Sequence, residues 1–151
     1  MPISPARVAA FEILLRVERE KAYASELLHS PRYSKLSPAD HGLCTEVVMG
    51  VLRWRSRLDV EIADFSLQKL GKLDLEVLTA LRMAAFQIAF LDRVPARAAV
   101  HESVELVKRA RKRSAVSFVN ALPRKTSLDE NCGKKLLTAE IAKPTNRKET
   151  N

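Results

Sequence analysis

Leu43, Val47, Val51, Trp54 and Leu58 follow one another at intervals of 4, 4, 3 and 4 residues. Only a helix puts residues so spaced on one face, because its period is 3.6 and a strand's is 2. The segment also has a sharp start. In Ser37-Pro38-Ala39-Asp40 a capping serine precedes a first-turn proline and an early acidic residue. Gly50 interrupts the seam at a cost of roughly 1 kcal/mol against alanine, which marks it as a close helix–helix crossing. Beyond Leu58, the residues Val60, Ile62, Ala63 and Phe65 predict a further helix or a bent continuation.

The same period recurs along the chain. Ser4-Pro5 opens a first helix that ends near Glu20, with Val8, Phe11, Leu14 and Leu15 on its apolar side and Ala10 as a further member. A short second helix is expected over 22–28 and a loop over 29–36, where Pro31 disfavours helix in the residue before it. After a connection over 66–73, Asp74 is a cap candidate for a helix running to about Phe90. Its broad apolar band, from Leu75 to Ala89, predicts a central position. Pro95 starts the next helix, striped by Val100, Val104 and Val107. A last helix begins near Ser114 and stops at Pro123. No convincing strand is present, and aromatics are 5% with four glycines, too few for a typical sheet domain. The expected fold is all-α, with six to seven helices over residues 1–124. Residues 125–151, rich in Lys, Thr, Asn and Glu, read as a disordered tail or linker.

Charge narrows the partners. The net charge is +8, and the excess is uneven: residues 1–60 carry nine basic and seven acidic groups, 61–110 seven of each, and 111–151 ten and four. A basic end attracts polyanions. The longest apolar stretch, 83–91, is broken by Gln87 and is too short to span a bilayer, so no membrane partner is expected. The N-terminus lacks the layout of a signal peptide, and Cys44 and Cys132 form no CxxC, so a reducing cytoplasm is the expected location.

Three groups of residues are candidates for RNA contact. The first is the run Lys108-Arg109-Ala110-Arg111-Lys112-Arg113, five of whose six residues are basic. Cations at a helix end complement its dipole, but five packed together repel one another and are better explained by a phosphate backbone. The second is Arg53 and Arg57, four apart around Trp54; they form a phosphate-binding edge or pair with Glu46 or Glu61. Trp54 continues the apolar seam, so it is read as core before base platform. The third is Arg7, the N-terminal arginine most isolated from acids along the chain; Arg16, Arg19 and Lys21 alternate with Glu12, Glu18 and Glu20 as surface ion pairs. Against an enzyme, His29, His41 and His101 are scattered, an HExxH would need histidine at Glu105, and no GxGxxG, P-loop or GxSxG is present. No metal or cofactor is expected, and Cys44 has no activating neighbour in sequence.

The ordered set Glu46-Val-Val-Met-Gly-Val-Leu-Arg-Trp-Arg55, then 81–95, then Ala98-Ala-Val-His-Glu-Ser-Val-Glu-Leu-Val-Lys108 with Ser117-Phe-Val-Asn-Ala-Leu122, resembles the NusB-like domain. More closely it resembles the N-terminal domain of the RsmB (Sun) ribosomal RNA cytosine-5 methyltransferases, towards which Gly-Val-Leu-Arg-Trp-Arg leans. The likeness covers about residues 5–124. It implies an all-helical RNA-binding fold that helps dock a larger enzyme. In RsmB-like proteins a domain using S-adenosylmethionine follows, and its Pro-Cys segment has no counterpart here, so the chain by itself is not expected to transfer methyl groups. At Glu102 and Asn120 the resemblance implies capping or bridging more than RNA contact. Ser117 stands where the family usually has glycine, and Pro123 where its last helix continues.

The leading expectation is therefore an RNA-binding accessory domain of a small-subunit rRNA methyltransferase, with ribosomal RNA and a methyltransferase catalytic domain as partners. A NusB-type transcription antitermination factor, binding RNA with a small ribosomal protein, is one alternative. A protein–protein interaction module is the other.

Overall fold

The computed structural model describes residues 2–66 and 68–122; the expected tail over 125–151, and Cys132 within it, lie outside the described residues. Six α-helices run in order: α1 Pro5–Glu20, α2 Ala24–Leu28, α3 Pro38–Phe65, α4 Leu75–Phe90, α5 Ala96–Arg109 and α6 Val116–Asn120. Short 3-10 turns occupy Pro31–Tyr33, Leu70–Lys72 and Arg113–Ala115. Among the described residues there is no strand, and the fold is all-α.

Local chemistry sets the helix starts. The Ser4 hydroxyl accepts from the Arg7 amide at 3.3 Å, and the Ser37 hydroxyl from the Asp40 amide at 3.1 Å, with proline in the first turn of both helices. Asp74 takes the N-cap position of α4 but makes no side-chain cap bond. Its carboxylate lies 3.4 Å from Lys112 Nζ instead. Pro95 is the N-cap of α5, and the helix begins at Ala96.

α3 continues unbroken to Phe65, so the apolar residues after Leu58 belong to the same 28-residue helix, about 42 Å long at the usual rise. Its buried face is Cys44, Val47, Val48, Val51, Leu58 and Ile62, together with the carboxylate-bearing Glu61. Leu43 and Trp54 sit at the edge of that face, half-buried. Trp54 stacks on Phe90 with ring centroids 5.3 Å apart, and Phe90 in turn stacks on Phe86 at 5.2 Å.

α4 is the centre of the fold, packed by α3, α5, α1 and α6. Ala80, Leu81, Met83, Ala84 and Ala85 are fully buried, and so is the amide of Gln87. Gln87 Nε2 donates to the Met83 carbonyl at 3.0 Å, and its Oε1 accepts from Arg7 Nε at 2.5 Å. Arg82, also buried, forks onto Asp59 of α3 with bonds of 2.7 and 2.9 Å, and Glu18 of α1 lies 3.9 Å away. Gly50 meets the same helix: a Cβ there would sit 2.1 Å from Phe86 Cζ. The glycine thus lets the Phe86 ring lie directly on the α3 backbone.

Two stability predictions follow from these contacts. Gly50→Ala should gain roughly 1 kcal/mol of helix propensity but lose more by overpacking the buried Phe86, for a net loss of about 1–2 kcal/mol. Chemical denaturation should show a lower midpoint at unchanged slope; a variant as stable as the parent would contradict the close crossing. Asp59→Ala should cost about 2–3 kcal/mol, because it strands the buried Arg82 guanidinium, whereas Arg82→Met, which leaves only a partly hydrated carboxylate, should cost about 1 kcal/mol. The order of those two losses, read in the same denaturation series, is the test.

Candidate nucleic-acid interface

The basic run caps α5, and the backbone there decides which cations are presented. The Arg111 amide donates to the Lys108 carbonyl at 2.9 Å and the Lys112 amide to the Val107 carbonyl at 3.0 Å. These are the paired bonds of a Schellman motif, which requires a left-handed residue at the position held by Arg111. Arg111 has φ 61°, one of two non-glycine residues with positive φ among those described; Lys21, just past α1, is the other at 54°. A side chain in that region costs about 1–2 kcal/mol relative to the right-handed helix, and glycine avoids most of it.

The turn sorts the run into two sets. Lys108 Nζ lies 2.8 Å from Glu105 Oε1, and that hydrogen bond holds the Glu105 carboxyl below its ordinary pKa range. Lys112 reaches Asp74 across the turn. Arg109, Arg111 and Arg113 are exposed, and no acidic side chain pairs with them among the described residues. Three arginines without local counterions are what a phosphate backbone neutralises.

The other candidates separate. Arg7 is not an isolated surface cation: its side chain is 11% exposed, and its Nε lies 2.6 Å from Glu102 Oε2 as well as on Gln87. Sequence distance hid this partner, which is 95 positions away on α5. Arg7 is thereby withdrawn from solvent and ties α1 to α5 and α4. Glu102 also accepts from the Ser4 amide at 3.1 Å through Oε1, so it bridges helices as the resemblance implied. Arg57 pairs with Glu61 at 2.8 Å, one of the two acids expected. Arg53 is exposed, its guanidinium 5.6 Å from the Trp54 ring. Arg55 pairs with Glu18 at 2.5 Å, and Arg19 with Glu76.

Sequence reasoning passed over Arg32 and Lys35, in the stretch read as a plain loop. Arg109 lines a groove of about 530 Å³ on α1 together with Arg32, Tyr33 and Lys35. The basic–aromatic–basic order of Arg32-Tyr33-Ser34-Lys35 was the available signal. Neither Arg53 nor Arg57 lines this groove.

Cys44 is buried, and burial pushes its thiol up to about 11, so it stays protonated and unreactive near neutrality. No cluster of His, Cys, Asp or Glu among the described residues could hold a metal ion. No helix there is long and apolar enough to cross a membrane.

Comparison with known proteins agrees with the architecture. The NusB family profile matches residues 4–127. The chain is 35% identical over 125 residues to the probable ribosomal RNA small subunit methyltransferase B of Bacillus subtilis (strain 168), covering 82% of this chain and 28% of that protein. A probable methyltransferase B of Synechocystis is 32% identical over 136 residues, with 89% and 30% covered. The chain thus spans less than a third of the length of these two relatives. The transcription antitermination protein NusB of Syntrophomonas wolfei is 27% identical over 135 residues, and the alignment covers 86% of this chain and 95% of that one. In fold, the chain superposes on T. maritima NusB with a TM-score of 0.69 at 20% identity, covering 80% and 89% of the two chains. The chain belongs to the NusB family.

The turn at Arg111 makes a separable prediction. Arg111→Gly should relieve the left-handed strain and, after the entropy that glycine adds to the unfolded chain, stabilise the protein by about 0.5–1 kcal/mol. Thermal melts should show a higher midpoint; a lower one would mean that the arginine makes contacts that outweigh its backbone cost.

Proposed function

We propose that this NusB-family domain is the RNA-binding accessory part of an RsmB-type small-subunit ribosomal RNA cytosine-5 methyltransferase. It holds ribosomal RNA for a catalytic domain and does no chemistry itself. The observation that carries the reading is the α5 terminus, where the turn leaves Arg109, Arg111 and Arg113 exposed and, among the described residues, without an acidic partner, while Lys108 and Lys112 are matched by acids. Arg53, exposed on α3, adds a second basic point on the surface, and Arg57 beside it contributes less because Glu61 holds it. Arg7 has no part in the contact, since Glu102 and Gln87 occupy it. The similarity to two methyltransferases of the same name over most of the domain supports the choice of parent enzyme.

A second reading is that of a free-standing antitermination factor acting with a small ribosomal protein in the cytoplasm. It is favoured by one observation: the antitermination protein of Syntrophomonas wolfei is matched over nearly its whole length. The two readings part on partner dependence. An antitermination factor should gain RNA affinity sharply when the ribosomal protein is added, and an accessory domain should not.

Fluorescence anisotropy with a small-subunit ribosomal RNA fragment, across a salt series, tests the RNA reading. The chain should bind at low salt and weaken as salt rises. The variant R109Q/R111Q/R113Q should lose about 2 from the slope of log affinity against log salt, since each phosphate contact on a single strand contributes about 0.7. Absence of binding at low salt, or an unchanged slope, would remove direct RNA contact by this end of the domain.

A further inference from the structure

We infer that the groove between the start of α3 and the α4–α5 link is a docking site for a segment of this same chain, residues 134–143, which follows the described residues. The inference is independent of RNA binding. α5 starts beside this groove at Ala96 and ends at the basic turn, so the two places lie a helix length apart, about 21 Å at the usual rise.

The groove encloses about 590 Å³. Leu43 of α3 lines one side, and Phe90, Leu91 and Val94 line the other; all four are half-buried. Gly42 belongs to the same lining. A glycine inside a helix costs propensity, so its presence asks for a reason. At Gly50 the Phe86 ring supplies one, but a Cβ at Gly42 would meet nothing within 4 Å. Packing among the described residues does not call for a glycine there; an occupant of the groove does. The rim adds a sign. Glu46 on α3 and Asp92 on the link are exposed, and no cation pairs with either among the described residues. Arg93 is the one cation in the lining, so the rim is net acidic on a chain of net charge +8. Such a rim turns polyanions away and favours an apolar segment flanked by cations.

Residues 134–143 have that chemistry. Leu136, Leu137 and Ile141 are three of the four leucines and isoleucines beyond residue 124, with Lys134 and Lys135 before them and Lys143 after; Glu140 is the one acid among them. The reach is sufficient and not generous. Phe118 of α6 stacks on Phe65 at the far end of α3, with ring centroids 5.8 Å apart. From Phe65 back to Gly42 the helix rises about 35 Å. The fourteen steps from Leu122 to Leu136 span at most about 46 Å when extended.

Carbodiimide coupling of the full, unsubstituted chain, read by peptide mass spectrometry on the monomer fraction, tests the contact. Lys134, Lys135 or Lys143 should couple to Glu46 or Asp92. They should couple far less to Glu26 and Asp64, exposed acids that no cation pairs among the described residues. The variant L136S/L137S leaves every described residue unchanged, and its coupling yield should fall by about 5-fold or more as the high effective concentration of a docked segment is lost. Gly42→Leu should lower the yield in the same way, because it fills the groove at a position where the fold itself is open. Removing residues 125–130 leaves eight steps, about 26 Å, and should also abolish the coupling. Equal yields from L136S/L137S would mean that charge alone gathers the lysines, and would overturn the groove as the site. Absence of coupling to Glu46 and Asp92, coupling to Glu26 and Asp64 at the same yield, or coupling only between two copies in a dimer fraction would overturn docking of the chain on itself. Should Gly42→Leu fold poorly, L136S/L137S and the shortened chain decide the matter.

Discussion

The demand that α4 be buried on nearly every side governs the rest of the structure. A helix surrounded by protein cannot leave a polar group without a partner, since each costs on the order of 1–3 kcal/mol when stranded. Among the polar side chains that α4 buries are Arg82 and Gln87. Asp59 on α3 answers the first, and Arg7 on α1 answers the second. The two polar contacts therefore fix which face of α1 and which part of α3 lie against α4, where apolar packing alone would tolerate sliding. Gly50 sets the distance in the same way, because only a missing side chain leaves room for Phe86.

Among the described residues, most ion-paired carboxylates hold arginines, exposed and buried alike. Glu18 takes Arg55 and stands near Arg82, Glu61 takes Arg57, Glu76 takes Arg19 and Glu102 takes Arg7. Arg109, Arg111 and Arg113, which no acidic side chain pairs among the described residues, lie together where α5 ends. The basic character of that end depends on which cations carboxylates hold, Lys108 and Lys112 being paired, as well as on net charge. Exposed charges such as these are screened within about 10 Å at 0.1 M salt.

Periodicity made the helices legible, and capping residues made most of their starts legible. Val47, Val51 and Leu58 of the seam on α3 are buried, joined by Cys44 and Val48, while Leu43 and Trp54 lie at its margin. A 28-residue helix presents different faces to different neighbours, which a single stripe cannot express. The continuation past Leu58 was ambiguous because Val60 and Ala63 are exposed there and mimic a change of face. Asp74 has the right residue type and position for a cap, yet Lys112 claims its carboxylate, and a contact of that range leaves no trace in local pattern. The pairing of Arg7 with Glu102 was hidden for the same reason. The α5 run was legible as charge, but its sorting into matched and unmatched cations depends on a backbone turn at Arg111. Arg32 and Lys35 went unnoticed because their relation to Arg109 exists only in three dimensions.

The bridge from Glu102 to Ser4 and Arg7 also orders the protein in time. Its two ends are separated by 98 positions at Ser4, and α1 packs otherwise on α3 and α4, which are made after it. When the chain emerges from the ribosome, the first helix has no lasting docking surface, and an isolated helix of 16 residues is marginal in water. Its residues Phe11, Leu14 and Leu15 stay uncovered until α3 and α4 have been synthesised, and the Glu102 bridge closes only once α5 follows. Contacts of such sequence separation slow folding. The α1 segment, made before the helices that cover it, is thus exposed to wrong partners during synthesis.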